Sequence, residues 1–331
     1  MDIFLQQILN GLVLGSVYAL VALGYTMVYG ILGLINFAHG EVVMIGALSA
    51  LGVMGMAAGV SLPGPVIVLL ATLVAMLVCM TLGFVIERVA YRPLRNAPRL
   101  APLITAIGVS IVLQVVGMLA SHREYLSFPP LVPHTRHQVA GATITDVQVL
   151  IIAVSAAMMA GLFLMVHYTR LGRAMRATAE NRAVAGLMGV NVNRIISATF
   201  VIGSAMGAVA GVLVSANYSI AHYTMGFMLG LKAFTAAVLG GIGNLGGAMV
   251  GGLLLGLIES LGAGYIGTLT DLCRYDWLLA ASGEIAQRCS NNSALPLFGS
   301  NYQDVFAFLV LVLVLIFRPT GLVGERVAER A

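Results

Sequence analysis

The sequence predicts an all-α fold: a polytopic helical membrane protein of about eight spans, with broken or re-entrant helices among them. Three observations carry this. Sixty per cent of the 331 residues are apolar and only 9% are charged, where a soluble domain carries about a quarter charged, so a water-facing surface cannot be built. The apolar residues form long continuous runs and do not alternate with period two, which favours helices over a membrane barrel. The basic residues collect in a few short loops between those runs, where they report orientation. The net charge of +4 is therefore a topological signal and gives no reason to invoke nucleic acid.

The chain opens Met1-Asp2-Ile3-Phe4 without a basic leader, and apolar sequence continues past the length of a signal peptide. No cleaved signal is expected. Apolar runs follow at roughly 5–29, 40–60, 66–87, 101–120, 147–168, 195–216, 230–243, 246–264 and 304–317. Most have the ~20 residues a crossing requires.

Orientation comes from arginine. Arg88, Arg92, Arg95 and Arg99 share one loop, Arg170, Arg173, Arg176, Arg182 and Arg194 another, and Arg318, Arg326 and Arg330 the C-terminal tail. These regions are expected in the cytoplasm. Loops 121–146 and 265–303, where acidic residues offset the few arginines, are expected outside. The whole chain, 1–331, then reads as a single membrane domain with a cytoplasmic loop 169–194 and an outer loop 265–303. Parity requires 230–243 and 246–264 to form a down-and-up pair. At ~1.5 Å per residue the first reaches only about 21 Å, short of a hydrocarbon core of about 30 Å, so one broken or re-entrant helix is expected there.

Several chemistries are excluded. The one lysine, Lys232, precedes Ala233, so a phosphate-cradling GxxxxGK[ST] loop is impossible. There is no HExxH or GxSxG, and Cys79, Cys273 and Cys289 lack metal-ligand spacing. No cofactor or metal is expected, and an embedded enzyme has no nucleophile-and-base pair to work with. Cys273 and Cys289 share the outer loop and can form a disulfide in an oxidising exterior.

The candidates for function are polar interruptions. "INFAHGE", 35–41, brings Asn36, His39 and Glu41 after a long uncharged stretch. It is either a cytoplasmic turn or an intramembrane break. "LGGIGNLGGAMVGG", 239–252, contains Gly240, Gly243 and Asn244 and is either a turn or an interrupted helix exposing backbone to a solute. Lys232 and Glu259 are ionisable groups in apolar sequence, which face a cavity or a partner by default. Lys232 could instead snorkel to the outer interface, and Glu259 is expected near the outer end of its helix. Glycines spaced by four, Gly11/Gly15, Gly203/Gly207/Gly211, Gly247/Gly251 and Gly252/Gly256, make flat stripes for close helix packing, within the chain or against a neighbour.

The stretch "GRAMRATAENRAVAGLMGVN", 172–191, reads as one amphipathic helix, with Arg173, Arg176 and Glu180 on one face and Gly189 at its end. It can lie on lipid headgroups, form a solvated loop, or dock into a soluble partner.

Four blocks in order, "NGLVLGSVYALVALGYTMVYGILGLINFAHGEVVMIGA" (10–47), "IERVAYRPLR" (86–95), the 172–191 stretch and "KAFTAAVLGGIGNLGGAMVGGLLLGLIES" (232–260), resemble the first permease subunit of bacterial high-affinity branched-chain amino acid ABC importers. The resemblance runs nearly end to end. It implies a multi-pass inner-membrane permease with a cytoplasmic C-terminus. Its implied partners are a second homologous permease, two cytoplasmic ATPases and a periplasmic amino-acid-binding protein, with no nucleic acid. It also implies that 172–191 is the loop that couples to the ATPase, through Arg173, Arg176, Glu180, Arg182 and Gly189. The periplasmic loop 265–303 is longer than the resemblance implies. Two other readings stay open: a urea or short-chain amide permease of the same superfamily, and an autonomous channel or secondary carrier.

Overall fold

A computed structural model describes residues 2–57, 63–95, 97–98, 100–130, 135–139, 141–271, 273, 289, 297–298 and 302–324. Expectations for Arg99, Arg326 and Arg330, and for most of loop 265–303, lie outside the described residues.

The elements in order are α1 (Asp2–Leu32), α2 (His39–Ala57), α3 (Gly64–Val85) continuing as a π-helical turn (Ile86–Tyr91), α4 (Leu100–Ala120), strands β1 (Leu126–Ser127), β2 (Arg136–Val139) and β3 (Ala142–Thr145), α5 (Asp146–Tyr168), α6 (Arg170–Glu180), α7 (Arg182–Leu187), α8 (Val192–Tyr218), β4 (Ile220–Ala221), α9 (Met225–Gly240), α10 (Leu245–Leu269) and α11 (Gln303–Phe317). The protein is a polytopic helical bundle. Among the described residues, seven helices are long and apolar enough to cross a membrane: α1, α2, α3, α4, α5, α8 and α10. Helices α9 and α11 are apolar but shorter.

The bundle has two distinguishable ends. One carries α6 and α7 with the described loop arginines Arg92, Arg95 and Arg182. The other carries the strands: β1 pairs antiparallel with β4, and β2 with β3. The chain begins at the strand end, where Gln6 at the start of α1 donates to the carbonyl of Thr143 in β3 at 3.0 Å. A capping box starts α5: the Thr145 hydroxyl accepts from the Gln148 N–H while the Gln148 side chain accepts from the Thr145 N–H, satisfying two otherwise orphaned donors.

Helices α1 and α8 form the enclosed centre, whereas α3, α4 and α5 turn apolar side chains such as Leu69, Leu77, Ile104 and Leu164 outward. Such a rim suits hydrocarbon and not water. The glycine stripes hold the centre together from within. Gly11 and Gly15 of α1 lie on the backbone of Leu257 and Leu253, and Gly252 and Gly256 of α10 lie on Ala19 and Gly15, so the two helices run antiparallel in near-backbone contact. Gly211 of α8 meets the Val43 carbonyl of α2, and Gly251 meets the Ala236 carbonyl of α9. All four spacings are thus used within the chain.

Two helices do not begin at the bundle's ends. The 33–38 link turns back from the end of α1, and α2 starts with His39 against Gly24 of α1 and Gly207, which is close to the middle of α8. A Cβ at position 24 would run into the His39 ring at Nε2, so only glycine admits the ring there. Helix α9 starts beside this point, Gly226 and Gly230 lying on the backbone of Gly40. At 16 residues α9 spans about 24 Å, while α10 at 25 residues spans about 37 Å. The down-and-up pair expected from parity is therefore one short helix and one complete one. They are joined by a turn in which Gly241 (φ +110°) and Gly243 (φ +97°) take conformations that side chains disfavour.

Candidate functional site

The sequence candidates fall in three places. The first runs from the α6–α7 end of the bundle into its interior. Asn36 is buried, and its Oδ1 accepts from the Tyr91 hydroxyl at 3.0 Å. His39 and Glu41 are 2% and 1% exposed. Of the two openings the sequence left for 35–41, Asn36 keeps to the end that carries Arg92 and Arg95, beside Tyr91, whereas His39 and Glu41 pack inside the bundle, where Gly24, Gly40, Gly207 and Gly226 leave room for them. Glu41 receives one long hydrogen bond, from the Ser110 hydroxyl of α4 at 3.4 Å. Its other oxygen, Oε2, is buried without a partner and lies against Gly226.

The second place is the ion cluster of α9, α10 and α11. Lys232 Nζ donates to Glu259 Oε1 at 2.6 Å and lies 2.8 Å from Asp304 Oδ1. The Tyr18 hydroxyl of α1 donates to Glu259 Oε2 at 2.9 Å. The Lys232 side chain is 16% exposed and that of Glu259 3%. One expectation is corrected here and one alternative narrowed. Of the two alternatives for Lys232, the structure favours the one in which it faces partners, because two carboxylates hold it. Glu259 lies ten residues before the end of α10, not near its outer end. Asp304 was missed; it sits at the start of a run that the sequence marks only as apolar.

The third place is the α6–α7 end. Gly240 packs on Gly247, Gly243 borders a cavity of about 830 Å³, and Asn244 caps α10 by accepting from the Gly247 N–H at 3.1 Å while donating to the Val323 carbonyl. The expected single helix over 172–191 is two. Asn181 leaves the helical conformation (φ −154°, ψ 108°), and its side chain accepts from the N–H groups of Ala183 and Val184 to start α7. Helix α6 buries Gly172, Met175 and Thr178 and turns Arg173, Arg176 and Glu180 outward. Arg176 donates to the His167 carbonyl at 3.2 Å and borders the large cavity. Arg182 points back into the bundle, its Nε and Nη2 donating to the Ile31 carbonyl of α1 at 2.9 and 2.6 Å. A cation on the last turn of a helix complements its dipole. Gly189 (φ +86°) closes the turn after α7. The apolar Leu187 and Met188 are 87% and 81% exposed here, and the charge-based reading passed over them.

The loop arginines have their own anchor. Glu87, fully buried, pairs with Arg95 and accepts from Ser197 at 2.5 Å. Partial burial lowers the Arg95 pKa, against the upward pull of Glu87. At the strand end, Cys273 and Cys289 are bonded, with Cα atoms 5.5 Å apart.

Several cavities border helix α9. Toward the strand end is one of about 320 Å³ lined by Tyr18, Tyr125, Tyr218, His222, Met225 and Lys232; partial burial lowers the His222 pKa. On the opposite face of the same turns is one of about 510 Å³ at Gly226 and Gly230, lined also by Tyr25, Phe37, Ile107 and Ser110. At the other end is the 830 Å³ cavity at Val238 and Gly243.

A polytopic bundle with cavities along one short, internally started helix and a protruding loop at one end has the architecture of a membrane transport protein. The family model described as "Branched-chain amino acid transport system / permease component" matches residues 7–315, and the chain belongs to that family. It is 45% identical to the high-affinity branched-chain amino acid transport system permease protein BraD of Pseudomonas aeruginosa, over 99% of this chain and 98% of that one. It is 43% identical to LivH of Escherichia coli K12, over 99% and 97%. The ribose import permease protein RbsC of Escherichia coli is similar only over 102 residues, 29% of this chain, at 35% identity.

Proposed function

We propose that this chain is the membrane permease subunit of an ATP-driven importer that moves branched-chain and other apolar amino acids into the cytoplasm. The observation that carries the reading is its near-complete alignment at 45% identity with a permease named for that substrate class. With no phosphate-binding loop of its own, the chain is non-catalytic. Two ATPase chains supply the hydrolysis, a second homologous permease completes the path, and a periplasmic binding protein delivers the solute. The α6–α7 end faces the cytoplasm of a bacterial inner membrane, since the arginine clusters favour that side.

In this reading α6 and α7 are the coupling element. Leu187 and Met188 enter an apolar groove of the ATPase while Arg173, Arg176 and Glu180 fix the register. Arg182 ties that element to the end of α1 at Ile31, next to the 33–38 link that leads to His39. Movement of the loop thus has a mechanical route to the middle of the bundle. ATPase closure biases the two access states through differential contacts of this kind.

The test is uptake of labelled leucine into proteoliposomes. The assembled complex should import it only with ATP and binding protein. Uptake by this chain alone would identify a channel or carrier, and preference for urea or short amides over leucine would move the substrate class. Charge reversal at Arg173 and Arg176 should abolish solute-stimulated ATP hydrolysis while membrane insertion persists. Unchanged hydrolysis would remove the coupling role.

A further inference from the structure

We propose that the 510 Å³ cavity between α4 and α9 is a holding station for the amino acid in transit, with Glu41 as the group that receives its α-ammonium. This rests on the importer reading above.

Four observations meet at the cavity. Its volume falls within the ~300–1,000 Å³ usual for small-molecule sites. Its walls are mostly apolar, including Phe37, Ile107, Ile111 and Leu231, with Tyr25, Ser110 and Gln114 as polar points. Glu41 stands behind the wall formed by Ser110 and Gly226, 1% exposed, with Oε2 unpartnered. Among the described residues no cationic side chain forms an ion pair with it. A carboxylate withdrawn from water without a cation is expensive unless something compensates it. Finally, α9 begins here, and Thr224 gives its first turn no side-chain cap, so beyond Met225, whose N–H donates to the His222 carbonyl at 3.3 Å, the first-turn N–H groups lack helical partners.

An α-amino acid has the complementary set. Its ammonium supplies the cation that Glu41 lacks. Its carboxylate is suited to the N–H groups and positive dipole end of α9. Its apolar side chain fills the space among Phe37, Ile107, Ile111 and Leu231. The close approach of Gly40 to Gly226 and Gly230 brings the carboxylate and the helix start within one solute's length. The 320 Å³ cavity that reaches Lys232 lies across α9 from this one, on the opposite face of the same turns.

The test uses the whole complex in proteoliposomes, with uptake of labelled leucine and ATP hydrolysis read together. The wild-type complex must first import leucine; if it does not, the importer reading fails and the site falls with it. Given import, Glu41→Gln should lower uptake about tenfold or more, the scale of losing a charge-assisted hydrogen bond, while binding-protein-stimulated hydrolysis stays within about twofold. Glu41→Asp, which keeps the charge, should retain more uptake than Glu41→Gln. Ser110→Phe, which narrows the cavity, should lower the ratio of leucine to alanine uptake. Unchanged uptake in Glu41→Gln would overturn the proposal. So would uptake and hydrolysis falling in proportion, which would make Glu41 a purely structural group.

Discussion

Glu41 and Glu259 are both buried carboxylates in membrane-spanning helices, and their surroundings are opposite. Glu259 is fully matched: Lys232 takes one oxygen at 2.6 Å and Tyr18 the other at 2.9 Å, with Asp304 sharing the lysine. Glu41 has only the 3.4 Å contact from Ser110 and one oxygen with no partner. The first arrangement joins α1, α9, α10 and α11 and resists change, since disturbing any member strands another. The second leaves binding capacity unused. The difference teaches that burial of charge does not by itself mark a pathway in this protein. The state of its partners does.

Three variants probe that contrast. The largest effect is expected at Lys232. Lys232→Met leaves Glu259 and Asp304 facing each other without a cation, and losing one member of a buried pair costs about 3–5 kcal/mol. Thermal unfolding of the detergent-solubilised protein should show a clear fall in Tm, and the double variant Lys232→Met/Glu259→Leu should recover part of it. Equal stability of the single variant and the native chain would break the description of this cluster as a lock. A smaller loss is expected for Tyr18→Phe, which removes one hydrogen bond to a charged group, worth about 1.5–3 kcal/mol. The smallest is expected for Glu41→Gln, whose stability should stay within about 1 kcal/mol of the native chain, because little that is native depends on that carboxylate.

Much of the fold was legible in the sequence for one reason: lipid tolerates little charge. Long apolar runs and arginine-rich loops therefore mark the spans directly, and the structure shows a helical bundle of that kind. The length argument over 230–243 also pointed to α9 as a short helix. Partnerships across the fold were not legible. The Lys232–Glu259 pair joins residues 27 apart, and Ser110 reaches Glu41 across 69; no periodicity encodes such contacts. The break between α6 and α7 did carry a local signal. Asn181 is a strong N-cap residue, and its place inside a helix-forming stretch marked a second start. The early start of α2 was half visible: the polar cluster at 36–41 raised an intramembrane break as one option, but only the glycines of three other helices decide that it fits inside.

The contrast between the two carboxylates is tested most directly by measuring Tm and ATP-driven leucine uptake side by side for Glu41→Gln and Glu259→Gln in the assembled complex. The account predicts that Glu41→Gln keeps its Tm and loses uptake about tenfold or more, whereas Glu259→Gln shows a lowered Tm as its first effect, because it weakens the hold on Lys232. The same response from both variants, in stability and in uptake, would contradict it.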